Sequence, residues 1–194
     1  MRYGVSVIAT GLIVAGLWCS AGAAPAGFTE QKAEGVIVDL PPGWRAAPKE
    51  FLARVQEGQA AAGKILMLVQ GPDKNGLPKA VLMEREDPGA TSEKIDAMSD
   101  SDLKLWCDTL KSNLRGRTGG KFEDVRCEKS QTRAGYALGT RMIVPSGGPD
   151  MLTLTWTIPH GDTSLVATVM FPKSDEEKYL APAREMLQSI RFGR

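Results

Sequence analysis

The stretch MLTLTWTIPHGDTSLVATVMF, Met151 to Phe171, decides the fold. Leu152, Leu154, Trp156 and Ile158 fall on one side of an extended run, and Thr153, Thr155 and Thr157 on the other. After a turn at Pro159-His160-Gly161-Asp162, the residues Leu165, Ala167, Val169 and Phe171 repeat the alternation. A hairpin with one apolar face and one face that tolerates hydroxyls belongs to an antiparallel sheet covered on one side.

Strand patterning continues upstream. Tyr136, Leu138, Thr140, Met142 and Val144 alternate with small or charged residues, and Pro145 to Asp150 turn that strand into the hairpin. Val36, Val38 and Leu40 alternate with Ile37 and Asp39 before Pro41-Pro42-Gly43 ends the run and Trp44 returns to the core. Ile65 to Gln70 is apolar at nearly every position, as a central strand requires, and Leu77 to Met83 is a strand that exits to solvent at Glu84-Arg85-Glu86-Asp87. Pro25 to Glu34 reads as a polar lead-in without periodicity. Lys49 to Gln56 fits a strand or a helical turn, and Gly58 to Gly63 a turn.

From Thr91 the period changes. Ile95, Met98, Leu103, Trp106, Cys107, Leu110 and Leu114 recur at three- and four-residue intervals and predict an amphipathic helix, with Ser99 or Ser101 as the cap of its longer part. Its apolar pattern assigns Trp106 to the core, beside Trp44 and Trp156. Ala183, Met186, Leu187 and Ile190 give a closing helix its inner face, and Pro182 reads as its first residue after a separate helical turn. Strands, a helix, more strands and a last helix define an α+β sheet-and-helix sandwich.

The chain of 194 residues opens with Arg2, an apolar segment from Val5 to Trp18 and small residues through Ala26. These are the parts of a secretory signal peptide spanning residues 1–24, cut after Ala23 or Ala24. The apolar run is shorter than a membrane span needs, and the bulky Trp18 before Cys19 argues against lipidation. The expectation is one α+β domain over 25–194, periplasmic or secreted, with no stable membrane span after cleavage. Lysine plus arginine number 24 against 23 acidic residues; losing Arg2 with the leader balances them, so nothing asks for nucleic acid. Two cysteines then remain, Cys107 and Cys127, in an oxidising compartment. A disulfide is the simplest reading, closing a loop of about 20 residues and contributing roughly 3 kcal/mol; two separate buried thiols are the alternative. Their spacing suits neither a redox C-x-x-C pair nor a metal site.

Catalytic chemistry finds little support. His160 is the only histidine and sits at a turn with Asp162, where water is hard to exclude, which disfavours a Ser-His-Asp or Cys-His enzyme. Asp73-Lys74-Asn75-Gly76 begins like a calcium loop without completing its ligand set. Gly116 to Gly120 lacks the order of a phosphate cradle and serves as a chain reversal. The carboxylates Glu84, Glu86, Asp87, Asp100, Asp102, Asp108, Glu123 and Asp124 show no pairing that sequence can place across a cleft. Arg115, Arg117, Arg126, Arg133 and Arg141 form either an anion- or protein-facing patch or an ordinary charged surface, with Glu123, Asp124 and Glu128 between them. No catalytic, cofactor or metal residue is assigned.

The Pro41-Pro42-Gly43-Trp44 strand end, the charged helix after Glu84-Arg85-Glu86, the Met151 to Phe171 hairpin and the Ser189-Ile190-Arg191-Phe192 finish resemble the PsbP-like superfamily and its bacterial exported relatives. The resemblance covers roughly Gly35 to Phe192. It implies an antiparallel sheet in an α/β/α-type sandwich and an accessory or protein-binding role, not an enzyme, and it transfers no catalytic residue. The paired cysteines and the Gly116 to Gly120 loop depart from it, so no photosynthetic role is inherited. The functional expectation is an exported, non-enzymatic module that binds a protein partner in the cell envelope. The alternative is a small-ligand carrier with its pocket between the sheet and the Thr91 to Leu114 helix.

Overall fold

The computed structural model describes residues 25–58, 63–87, 89, 91–118 and 122–193; the expected leader over 1–24, most of the turn expected at Gly58 to Gly63 and Gly119-Gly120 lie outside them. A seven-stranded antiparallel sheet runs in the order β3 (Arg45–Ala46), β4 (Lys64–Gln70), β5 (Lys79–Glu86), β9 (Thr163–Pro172), β8 (Met151–His160), β7 (Gly135–Val144), β6 (Glu123–Thr132). A smaller sheet orders β1 (Thr29–Ala33), β2 (Val36–Leu40) and β10 (Arg191–Phe192). β1 occupies the supposed lead-in; its mostly exposed edge position explains the missing hydrophobic period.

The hairpin β8–β9 is central. Its turn is tighter than the sequence suggests, because Pro159 pairs with Ser164 and His160 with Thr163, leaving Gly161-Asp162 as a two-residue loop. Pro159 is tolerated because pairing of β8 with β7 ends at Thr157, so no ladder bond is lost on that flank. Leu152, Leu154, Trp156, Ile158, Leu165, Ala167, Val169 and Phe171 are all at most 2% exposed. They meet Val36, Val38 and Leu40 of β2 and Tyr179, Ala183, Met186 and Leu187 of α4 (Glu176–Gln188) in one core. Tyr179 lies edge-on to Trp44 and tilted against Phe171.

α4 is a continuous helix after a short 3-10 turn, with Pro182 in its interior rather than at its start. The proline forgoes the bond to the Lys178 carbonyl at a cost of about 3 kcal/mol. Burial of Tyr179, Ala183, Met186 and Leu187, spaced four, three and one residues apart, offsets it. Lys49 to Gln56 resolves as a helix, α1 (Lys49–Gly58). Gln56 turns its amide onto the free edge of β4, accepting from the Ile65 N–H at 2.5 Å and donating to the Gly63 carbonyl at 3.1 Å. With Ala47 N–H bonded to the Leu68 carbonyl, that edge is closed along most of its length.

The fully buried Asp39, which alternation places outward, is the main polar surprise of this side. Its two oxygens accept from Arg133 at 3.0 Å and Arg191 at 3.1 Å, joining β2, the β6–β7 turn and β10. The arginine patch dissolves in a similar way. Arg126 pairs with Asp124 on its own strand, while Arg141 pairs with Asp124 of β6 and reaches Glu176 of α4 at 2.9 Å, tying the sheet to that helix.

Candidate functional site

Register defines the opposite face of the large sheet. Cys127, Thr140, Thr155, Thr168, Val81 and Leu68 stand in one row across it, and Lys129, Leu138, Thr157, Val166 and Met83 in the next. Two helices cover only part of this face: α2 (Ser92–Asp96) packs on β7 and α3 (Asp100–Thr118) on β6. Over β8, β9, β5 and β4 the side chains of Thr155, Thr157, Val166, Thr168, Met170, Val81, Met83 and Leu68 remain half-buried.

The predicted amphipathic helix is two helices because its caps divide it. Thr91 accepts from the Lys94 N–H to start α2. Ser99 starts α3: its hydroxyl accepts from the Asp102 N–H at 3.2 Å, while Asp102 accepts from the Ser99 N–H and hydroxyl. These bonds hold the Asp102 carboxyl below the usual carboxylate range. α2 is pinned by polar ties. Ser92 accepts the Tyr136 N–H at 2.6 Å, and Lys129 donates to the carbonyls of Asp96 and Met98. Gly135, at a φ of +123°, is required here: a Cβ would meet Ser92 Oγ at 2.4 Å. α3 is joined to β6 by the Cys107–Cys127 disulfide, with Cα atoms 5.7 Å apart. Cys107 is the one buried residue between Asp100 and Gly116.

Between this helical arm and the sheet lies an open cleft of about 450 Å³. Leu138, Thr157 and Val166 form its floor, and Ile95, Met98 and Trp106 its wall. Trp106 is therefore not a core residue. It is half-buried on the cleft side, because the apolar stripe of α3 overhangs a sheet face it does not fully cover. The far end is polar, with Arg85, Glu86, Asp87, Thr91, Lys94 and Ser164. Buried Ser164 donates to Asp87 at 2.9 Å, and Lys94 bonds the Gly89 carbonyl. The sequence presents Glu84-Arg85-Glu86-Asp87 as a strand exit, with Glu86 and Asp87 also among the carboxylates it cannot pair, and it does not single out Lys94 and Ser164; the signal was polar character shared by the ends of β5 and β9.

The remaining candidates lie elsewhere. His160 belongs to the opposite face, stacked on Phe192 at 3.7 Å beside Glu34, Glu84 and Thr163, away from Ser164 and Asp87. Asp73 accepts from the N–H groups of Asn75 and Leu77 and organises its own turn. Glu84 accepts from Thr163, Asp108 pairs with Lys104, and Arg115 lines a separate hollow with Lys111, Leu114 and Phe122. Among the described residues, no group of three or more His, Cys, Asp or Glu side chains could hold a metal ion, and no helix is long and apolar enough to cross a membrane.

No family profile matches the chain, and no curated protein matches it. Solved structures do. Cyanobacterial PsbP (CyanoP) from Synechocystis sp. PCC 6803 superposes with a TM-score of 0.55 at 10% identity, covering 91% of this chain and 98% of that one. LpqN of Mycobacterium tuberculosis, described as involved in cell envelope biogenesis, gives 0.49 at 11% identity over 86% and 91% of the two chains. The Ran-binding protein Mog1p of Saccharomyces cerevisiae gives 0.48 at 12% over 85% and 95%. The chain has a PsbP-like α+β fold.

Proposed function

We propose that the chain is an exported, non-enzymatic accessory module that binds another protein of the cell envelope through the cleft and the sheet face adjoining it. The observation that carries this reading is the continuity of the two. Met83 stands beside Val166 of the cleft floor, and the half-covered Val81, Met83, Thr168 and Met170 continue the same face over β5 and β9, a largely apolar surface next to the charged end of the cleft. The leader-like residues 1–24 and the disulfide support an oxidising location. His160 lies on the face opposite Ser164 and Asp87, so the Ser164–Asp87 pair has no histidine beside it.

Immobilised mature protein and a Val166→Arg variant should be compared on envelope extract, with circular dichroism establishing that the variant is folded. A protein retained by the first and released by the second is the expected result; retention by both refutes the assignment to this face. One observation favours a second reading, a carrier of small ligands: the cleft volume lies in the usual range for such sites, and polar groups converge at one end. A small molecule co-purifying in native mass spectrometry, and lost on Trp106→Ala, would select it.

A further inference from the structure

We propose that the Cys107–Cys127 disulfide is a redox-operated clamp on the cleft, so that its reduction lets α3 swing away from the sheet while the sheet and α2 stay in place. This inference rests on the cleft being the binding site. The two helices of the arm are held by different means. α2 is tied to β7 through Ser92 and Tyr136 and to β6 through Lys129, with Ile95 buried beneath it. α3 buries one residue of its Asp100–Gly116 span, Cys107, and that residue is the cross-link. Leu103, Trp106, Leu110 and Leu114 are only half-covered. The link between the helices, Ala97 to Ser99, is short and exposed apart from Met98, which suits a hinge.

Trp106 is the neighbour of Cys107, so the bond that holds α3 also holds the indole at the cleft whose floor is Leu138 and Val166. Reduction takes two electrons and two protons from a dithiol, which closes into its own cyclic disulfide and leaves Cys107 and Cys127 as thiols. The half-buried Cys127 offers the route of attack. Once the bond is open, α3 retains too little buried surface to hold its place, and an isolated helix of this length is marginal in water.

The test is hydrogen exchange on the folded mature protein, oxidised and after incubation with dithiothreitol, read separately in α3 and in β8 and β9. The expected result is an acceleration of roughly tenfold or more in the amides of Leu103 to Leu114, with the two strands unchanged. Unchanged exchange in α3, or equal acceleration in the strands, overturns the clamp. A Cys107→Ser, Cys127→Ser variant should exchange fast in α3 and ignore the reductant. If that variant does not fold, reduction of the natural protein still decides. No ligand enters this measurement, so a cleft that binds nothing would fail the Val166→Arg comparison and leave the exchange result standing.

Discussion

Replacing Asp39 by alanine removes a fully buried carboxylate that two guanidinium groups share. The side chain is fully buried, and Arg133 and Arg191 approach its two oxygens at 3.0 and 3.1 Å. Deleting one member of a buried ion pair costs about 3–5 kcal/mol, chiefly because charge is left without compensation. Here the arginine side chains are 30% and 22% exposed, and Arg191 keeps Glu30, so both can recover some hydration or pairing. That places the loss near the lower end, about 3 kcal/mol. For a chain of this size the melting temperature should fall by about 6–12 °C. Calorimetry on the folded protein, with a urea titration to establish that the m-value is unchanged, measures it. The triple variant Asp39→Leu, Arg133→Met, Arg191→Met should be more stable than Asp39→Ala, because no charge is stranded. A melting temperature within about 2 °C of wild type for Asp39→Ala, or a triple variant that falls further than the single one, would refute the reasoning.

Two further outcomes follow from the packing and the charges. Gly139→Ala puts a Cβ 2.9 Å from the fully buried Trp156 indole nitrogen and 2.9 Å from Glu128 Cγ. The glutamate can move and the indole cannot, so a loss of about 1–3 kcal/mol is expected, and an unchanged urea midpoint would count against it. Asp124 is held below the usual aspartate range first by the Arg126 hydrogen bond and then by that of Arg141, with burial opposing. A depressed folded pKa means the contribution is intact above the unfolded value of about 3.9 and disappears as pH falls through the folded value. The urea midpoint should therefore drop below about pH 4, and Asp124→Asn should lose part of that drop; identical pH profiles for the two proteins would contradict the assignment.

Much of the large sheet was legible because period-two alternation survives wherever one face is fully buried, as in Leu152 to Ile158 and Leu165 to Phe171. The small sheet was half legible. Val36, Val38 and Leu40 announced β2, whereas β1 has no buried face to impose a pattern. Asp39 was misplaced because alternation says which side a residue takes, not whether two arginines wait there. Trp106 was misplaced for a related reason: helical spacing shows which side chains point inward, but the extent of the surface opposite them depends on strand order. Pro182 followed a sound local rule that tertiary burial overrode. The polar end of the cleft joins residues 77 apart in the chain, Asp87 and Ser164, and no local pattern foretells that meeting.

The pairing of β2 with β10 carries a consequence for how the chain is made. Asp39 meets Arg191 across a sequence separation of 152, and Ser189 accepts the Asp39 N–H across 150. β5 likewise waits for β9. A chain emerging N-terminus first from a ribosome therefore holds β1 and β2 long before β10 exists. Contacts this distant are slow to form, and domains close only when their last elements arrive. Arg191 and Phe192 thus come last to the small sheet and complete it by pairing with Ile37 and Val36.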